Sequence, residues 1–371
     1  MSGSDFEYVR MMRLAIAEAR KGVGLTRPNP PVGAVVADAD GRIIGRGYHH
    51  GAGLPHAEVN AIADCGDVDL SGATVAVTLE PCSTHGRTPP CTDLLISRGV
   101  RRVVIGAIDP NPKHAGRGIG LLKDAGIEVV TGVGERECKE LIAPFASAMT
   151  RHRPHVTLKL AMTLDGRIAD RNGTSKWITS AASRSFVQRL RKGADAIMVG
   201  SGTAIADNPS LLCKARGRAG RAWRVVADAS GRIPASLALV TDKFADRTII
   251  ATTDDGAKRL SRTLPEGPSV WTIGRADDGR IDLERLLERL TEEHDVMELL
   301  CEGGGKLAGS LLKGGFVDRL VLFYAPAIMG DDRASPAFSG VDNLLADSRL
   351  AVAARTIRTF GPDFAVVLDL L

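Results

Sequence analysis

Between His56 and Cys91 the chain collects one imidazole, one carboxylate and two thiols: H-A-E at 56–58, then E-P-C-S-T-H-G-R-T-P-P-C at 80–91. Catalytic zinc takes three N or S ligands and keeps its fourth position for water. His56, Cys82 and Cys91 can fill the three. Glu58 falls on the same first helical turn as the histidine, within reach of that water without being a ligand. Zinc lowers the pKa of its water to about 7, so hydroxide is available at neutral pH. A nearby glutamate can then carry protons to a leaving amine. A purely structural zinc site would have no use for Glu58.

His-x-Glu followed by Pro-Cys and a second Cys is the pattern of the nucleobase deaminases. The usual pattern places two residues between the cysteines; here the insertion S-T-H-G-R-T-P-P separates them. Both halves fall where a helix is expected after a strand-like run, and Pro81 suits a first helical position. Buried structural cysteines are common, so the constellation carries the argument rather than either thiol.

A second chemistry is written at 296–306, V-M-E-L-L-C-E-G-G-G-K. Glycines at a helix start let backbone N–H groups approach a phosphate, and the helix dipole favours the anion. The pyrophosphate of a nicotinamide nucleotide suits such a place; on these residues alone a plain glycine turn serves equally. No G-x-G-x-x-G fingerprint is present, which argues against a doubly wound dinucleotide domain. Glycines 116, 118 and 120 read as turn chemistry.

The elements that must hold these residues alternate. A helix over 5–21, capped by Ser4 or Asp5, is expected to turn Phe6, Val9, Met12 and Ile16 inward. A hairpin follows (V-G-A-V-V-A-D, then R-I-I-G-R-G-Y), then the H-A-E helix, strand T-V-A-V-T-L, and a helix after Cys91. Strand V-V-I-G-A, helix 117–125, strand I-E-V-V and a helix near 134–150 complete a half with helices on both faces of its sheet. A boundary is expected near 150–154, dividing the chain into 1–150 and 151–371. The second part reads as strand 155–170, helix 181–191, strands 195–200, 223–228 and 247–252, helix 281–294, strand 296–301, helix 306–313, and strands 317–328 and 350–370. Asp207 falls in a loop-like stretch after A-I-M-V-G.

Composition bounds the rest. A chain of 371 residues, 44% hydrophobic and 25% charged, suits two globular domains with sizeable cores. A net charge of +4 suits an anionic small molecule, and only 4% aromatics leave no base-stacking platform. The six cysteines show no disulfide framework. Without a signal peptide or an apolar run near 20 residues, a cytoplasmic protein with no membrane partner is expected. The sequence leaves room for a homo-oligomer.

T-R-P-N-P-P-V-G (26–33), G-x-G-Y-H (45–49), H-A-E, the long Cys–Cys insertion and D-P-N-P-x-x-x-G-R-G (109–118) together resemble the bifunctional riboflavin-biosynthesis deaminase/reductase family. L-K-L-A-M-T-L-D-G-R-I-A (158–169) and S-K-W-I-T-S (175–180) extend the likeness over essentially the whole chain. It implies an α/β protein: an N-terminal cytidine-deaminase-like three-layer domain and a C-terminal dihydrofolate-reductase-like domain. The implied activity is zinc-dependent hydrolytic deamination of 2,5-diamino-6-(5-phosphoribosylamino)pyrimidin-4-one. NADPH-dependent reduction of the ribosyl chain to ribityl then follows.

The resemblance also assigns residues. Asn29 and His49 match substrate contacts; a turn-making asparagine and a surface histidine are the plain alternatives. Arg87, in the insertion, could meet a phosphate or be simply solvated. In the second part Ser175, Arg191, Leu211 and Glu302 match substrate contacts. Ala161, Trp177, Thr203, Asp207 and the run Gly304, Gly305, Lys306, Leu307, Ala308, Gly309, Ser310 match cofactor contacts. Lys159 and Asp207 are the ionisable groups expected nearest hydride transfer, although Asp207 before Asn-Pro also suits a turn. Lys214 stands where the family often has an arginine for the substrate phosphate, so Arg216 is an alternative there. A rival reading is a zinc nucleobase deaminase acting on nucleic acid, with a C-terminal binding module. It needs a concentrated basic, aromatic surface that the sequence lacks. A binding or regulatory protein with a relic zinc site is a second rival, and the intact Glu58 counts against it.

Overall fold

The computed structural model describes residues 3–86, 89–215, 219–276, 279–341 and 350–371. The chain forms two compact units, Met1–His152 and Arg153–Leu371.

The first unit runs α1 (Gly3–Gly22), β1 (Gly33–Ala37), β2 (Ile43–Tyr48), α2 (Ala57–Asp64), β3 (Thr74–Leu79), α3 (Cys91–Ser97), β4 (Arg102–Ala107), α4 (Arg117–Asp124), β5 (Glu128–Thr131) and α5 (Glu135–Arg151). Its sheet has the order β2-β1-β3-β4-β5. The first three strands pair antiparallel, and β3, β4 and β5 run parallel. Every residue of β1 and β3 is buried, as strands covered on both faces require. Met11, Met12, Ala15 and Ile16 of α1 and Ile142 of α5 pack on one face, with Val35, Ala76 and Val104. Ala61 and Ile62 of α2, Leu95 of α3 and Leu122 of α4 pack on the other, with Val36, Val75 and Val103. The result is three layers. Glycines let α2 come close: a Cβ on Gly47 would lie 2.3 Å from the backbone N of Ala61, and one on Gly45 2.2 Å from its O.

Two expectations for α1 fail. Phe6 is 68% exposed rather than inward, whereas Met12 and Ile16 are buried. The buried stripe is Tyr8, Met11, Met12, Ala15, Ile16 and Ala19; at 100° per residue Phe6 sits roughly 150° from its centre, on the opposite face. The helix also begins at Gly3, so Ser4 and Asp5 lie within it and do not cap it.

The second unit comprises β6 (His155–Thr163), β7 (Arg167–Ala169), α6 (Ala181–Gly193), β8 (Ala196–Gly200), α7 (Ser201–Asp207), β9 (Trp223–Ala227) and α8 (Ala238–Thr241). After a 3₁₀ turn at Ala245–Arg247 come β10 (Thr248–Thr252), α9 (Asp254–Leu260), β11 (Ser269–Thr272), α10 (Leu283–His294), β12 (Glu298–Cys301) and α11 (Gly305–Lys313). The unit closes with β13 (Arg319–Ala325), β14 (Ser335–Pro336), β15 (Val352–Phe360) and β16 (Asp363–Leu370). Nine strands form one mixed sheet, β11-β10-β9-β8-β12-β6-β13-β16-β15, parallel as far as β13. The last two strands are antiparallel. Leu286, Leu287 and Leu290 of α10 and Leu311 of α11 cover one face. Ala204 of α7, Leu239 of α8 and Leu260 of α9 cover the other.

The expected strand 155–170 is interrupted, because Gly166 at φ 73° makes a turn between β6 and β7. The run 350–370 is likewise a hairpin, reversed at Gly361 with φ 64°. Asp207 is not in a loop: it ends α7, which stops at Asn208 in the left-handed conformation just before Pro209.

Candidate active sites

In the first unit α2 and α3 both present their N-terminal ends to one point. His56 is the N-cap of α2 and Cys91 the first residue of α3. Cys82 reaches the same place from an irregular stretch rather than a helix. Pro81 therefore does not open a helix; the start is deferred to Cys91, after Pro90 in extended geometry. His56 Nδ1 lies 3.3 Å from Cys91 Sγ and 3.5 Å from Cys82 Sγ, and the three ligand atoms fall within 4.8 Å of one another. Ligands of a tetrahedral zinc with Zn–N and Zn–S bonds near 2.0 and 2.3 Å stand about 3.5 Å apart, so this donor set fits that ion. Hydrogen bonding from Cys91, with His56 behind it, draws the Cys82 thiol down, and the same contact together with burial pushes Cys91 up. A zinc ion would displace the thiol protons.

Glu58, on the first turn of α2, is 3% exposed. Burial, and then the charge on Cys82, push its carboxyl above the usual carboxylate range. His49 follows β2 and meets His56 edge-on, ring centroids 5.2 Å apart. Its Nδ1 lies 3.1 Å from the Pro55 carbonyl, which only accepts, so Nδ1 is the donor. Burial keeps this imidazole below its ordinary pKa. Its Nε2 is then an acceptor, and the Asn29 amide donates to it at 3.0 Å. The Asn29 carbonyl oxygen is thereby freed from His49. Arg87 lies outside the described residues.

One residue here has no precedent in the sequence reading. Glu80, 5% exposed, accepts backbone N–H groups from Asp109, Gly116, Gly118 and Ile119 at 2.9–3.2 Å. Glycines 116 and 118 thus approach a carboxylate of the chain itself. Gly118 also packs against Pro81, since a Cβ there would lie 2.3 Å from its carbonyl oxygen. The signal was present, an acid two residues before Cys82 and a glycine cluster at a helix start, but more than thirty residues separate them.

The second unit holds a cavity of about 1400 Å³ over the carboxyl ends of β6, β8, β9 and β12. Arg191 of α6 and Glu302 after β12 form a two-pronged ion pair, 2.6 and 2.8 Å, and Arg191 Nη1 also donates to Leu212 O at 3.0 Å. Burial alone would raise the Glu302 carboxyl; Arg191, with Lys159, holds it below the usual range. Lys159 lines the same wall, pushed down by burial and by Arg191 against the opposing pull of Glu302 and Asp207. Ser175 Oγ donates to Asp207 Oδ1 at 3.0 Å, and Lys176 Nζ to the Asp207 carbonyl at 3.1 Å. Ala161, Leu211 and Lys214 complete this end. Arg216 lies outside the described residues. Trp177, 71% exposed, lies under the Arg184 guanidinium at 4.5 Å.

At the opposite side of this cavity the glycines do the work. Gly303 and Gly304 take φ 71° and 93°, which L side chains rarely adopt, and turn the chain into α11. A Cβ on Gly304 would come within 2.8 Å of Thr203 Oγ1. Gly304, Gly305, Lys306, Leu307 and Ser310 line the cavity, so first-turn N–H groups without intrahelical acceptors border a space sized for a dinucleotide and a substrate. Ala308 and Gly309 are set apart from this lining: both are buried, Ala308 in the core. A Cβ on Gly309 would strike Ser339 O at 2.0 Å. Among the described residues no helix is long and apolar enough to cross a membrane.

Comparison with known proteins gives a family for each unit. Residues 7–107 match the cytidine and deoxycytidylate deaminase zinc-binding region, and residues 154–366 match the RibD C-terminal domain. The riboflavin biosynthesis protein RibD of Actinobacillus pleuropneumoniae is 42% identical over 99% of this chain and 95% of its own. RibD of Escherichia coli K12 is 38% identical over 96% and 98%. A solved diaminohydroxyphosphoribosylaminopyrimidine deaminase/5-amino-6-(5-phosphoribosylamino)uracil reductase of Thermotoga maritima superposes with a TM-score of 0.86. It is 37% identical and covers 99% of this chain and 100% of its own. Form 1 of Acinetobacter baumannii RibD gives 0.85 at 33% identity, covering 99% of each.

Proposed function

The chain belongs to the RibD family of riboflavin biosynthesis proteins, and on that premise we propose how its residues divide the labour. It is a bifunctional enzyme, a zinc-dependent deaminase and an NADPH-dependent reductase. We take the first activity to reside in residues 1–150 and the second in 151–371, both in the cytoplasm. The Thermotoga maritima relative is named for a diaminopyrimidine ribosyl phosphate and its deaminated product; those are the substrates proposed here.

The observation that carries the reading is Glu58, a buried carboxylate beside three zinc-type ligands. When held by His56, Cys82 and Cys91, zinc supplies a Lewis acid that makes hydroxide available near neutral pH. Glu58 takes the proton from water and passes it to the ring 2-amino group, which leaves as ammonia while the ring carbon gains oxygen. Buried beside the three ligands, it is placed to hold that proton between the two transfers. His49 fixes the Asn29 amide, and the Asn29 carbonyl oxygen meets a ring N–H.

In the second unit NADPH supplies the hydride that converts ribosyl to ribityl. The first turn of α11 receives the pyrophosphate. Lys159 Nζ, supported by Asp207, provides the proton for the sugar oxygen as hydride reaches carbon. Lys214 holds the substrate phosphate, while Ser175, Arg191, Leu211 and Glu302 shape the wall around the pyrimidine. Trp177 and Thr203 border the nicotinamide half.

The test is incubation with the diaminopyrimidine substrate, with and without NADPH, following products by mass. Wild type should release ammonia without NADPH and add two hydrogens only with it. Glu58→Gln should keep its zinc, lose deamination by about 10²–10⁴-fold, and still reduce substrate that is already deaminated. A loss below tenfold would sink the Glu58 assignment.

A further inference from the structure

NADPH and NADH differ by one phosphate, on the adenosine ribose. Preference for NADPH must therefore come from whatever faces that phosphate. The argument rests on the NADPH reading above and asks which residue does so.

Sheet order gives the cavity a direction. β12, which leads into the glycine turn, lies between β6 and β8, and β9 lies beyond β8. On the β6 side stand Lys159 and Ala161, the reducing end. A dinucleotide with its pyrophosphate at the glycine turn and nicotinamide toward β6 lays its adenosine over β8 and β9, about 10 Å away by strand spacing. Helix α7 spans the same interval. Its last residue, Asp207, accepts from Ser175, and its first, Ser201, accepts from Arg232 Nη2 at 2.9 Å.

We propose that Arg232 binds the 2′-phosphate of the cofactor and sets its preference for NADPH over NADH. Arg232 lines the cavity together with Ser201 and Ser230. Its side chain is 60% exposed; Nη2 donates to Ser201 Oγ, and Nε lies 3.9 Å from Asp228 Oδ1 in a loose ion pair. Guanidinium N–H groups therefore remain for an incoming phosphate, whose geometry their planar fork matches.

The neighbouring acid completes the case. Where a strand end meets adenosine, a carboxylate that hydrogen-bonds the ribose hydroxyls favours NAD, and an arginine favours NADP. Asp228 stands at the end of β9, but it is fully buried, and its Oδ2 accepts the backbone N–H of Arg232 and of Ile233 at 2.5 and 3.0 Å. It holds the turn that carries Arg232, and its other oxygen, Oδ1, lies 3.9 Å from Arg232 Nε, so this buried acid serves the arginine. Nearer the glycine turn, Arg280 donates to Ser310 Oγ of α11, and Lys306 stands on the first turn of that helix, which places both closer to the proposed pyrophosphate site than to β9.

The test is calorimetric titration of wild type, Arg232→Ala and Arg232→Lys with adenosine 2′,5′-bisphosphate and with 5′-AMP. Arg232→Ala should weaken the bisphosphate about 10–100-fold, the worth of hydrogen bonds to a charged group, and leave 5′-AMP unchanged. Retained 5′-AMP binding shows that the variant is folded. Arg232→Lys should fall between, keeping charge but losing the fork. Equal weakening of both nucleotides, or of neither, overturns the assignment. If wild type itself binds the two equally, the NADPH preference fails before any variant is made, and Arg232 has nothing to read.

Discussion

Glu302→Gln is the sharpest perturbation of the reductase wall. Glu302 and Arg191 are about one-tenth exposed, 10% and 13%, and share two short hydrogen bonds. Removing the acid leaves the guanidinium buried without its counter-charge, and breaking such a pair from one side costs about 3–5 kcal/mol. For domains of about 150–250 residues each kcal/mol shifts Tm by about 2–4 °C, so the second unit should melt about 6–20 °C lower. Scanning calorimetry reads this directly, and ammonia release by the first unit reports that the rest of the chain is intact. Arg191→Met added to Glu302→Gln removes the stranded charge, so the double variant should recover most of the loss. Lys159 gives a second readout. Without Glu302 its pKa is pushed further down, so the basic limb of reductase activity should move to lower pH. A single variant melting within about 2 °C of wild type, or a double variant that loses the sum of both, would refute the reasoning.

Cys91→Ser should bring zinc from about one per chain to well below it by elemental analysis, because a hydroxyl is a poor replacement for a thiolate ligand; full zinc would remove Cys91 from the ligand set. Asp207→Asn should depress reductase turnover, whereas Lys214→Ala should chiefly raise the substrate KM, as loss of uniform binding does. A normal rate in Asp207→Asn would leave that residue only its helix-ending role. His294, stacked on Trp223 at 4.0 Å with Arg247 over the far ring, has its pKa lowered by burial first and by Arg247 and Arg289 after it. The unfolded chain then binds the extra proton, so this contribution is present above pH 6.5 and is lost as pH falls toward the depressed value. Urea midpoints between pH 5 and 8 should show that loss in wild type and not in His294→Leu; parallel curves would contradict it.

Much of the fold was legible because burial and chemistry agreed. Val35, Val75 and Val103 sit in short apolar runs between turn residues, which read as strands covered on both faces, and they are. The convergence of His56, Cys82 and Cys91 was legible because His-x-Glu and Pro-Cys name a chemistry. Helix facing was less so. Phe6 is apolar and near the stripe in sequence, yet angular position, not polarity, decides which side it takes. Helices α7, α8 and α9 went unread because each is only four to seven residues long and shows too few turns for periodicity to emerge. The glycines at 116 and 118 were read as turns since their partner, Glu80, is distant in the chain. Long-range pairing of that kind leaves no periodic trace.

The Glu80 carboxylate has a kinetic consequence. Residues 108–116 form no strand or helix, and an irregular surface segment ordinarily exchanges its amide protons quickly. Here one buried side chain ties together N–H groups at both ends of the segment, Asp109 on one side and Gly116, Gly118 and Ile119 on the other. None of these can open alone without leaving part of a buried carboxylate unbonded. The four amides should therefore exchange slowly and at one common rate. The stretch beside Cys82 is therefore expected to open as one unit through this carboxylate rather than residue by residue.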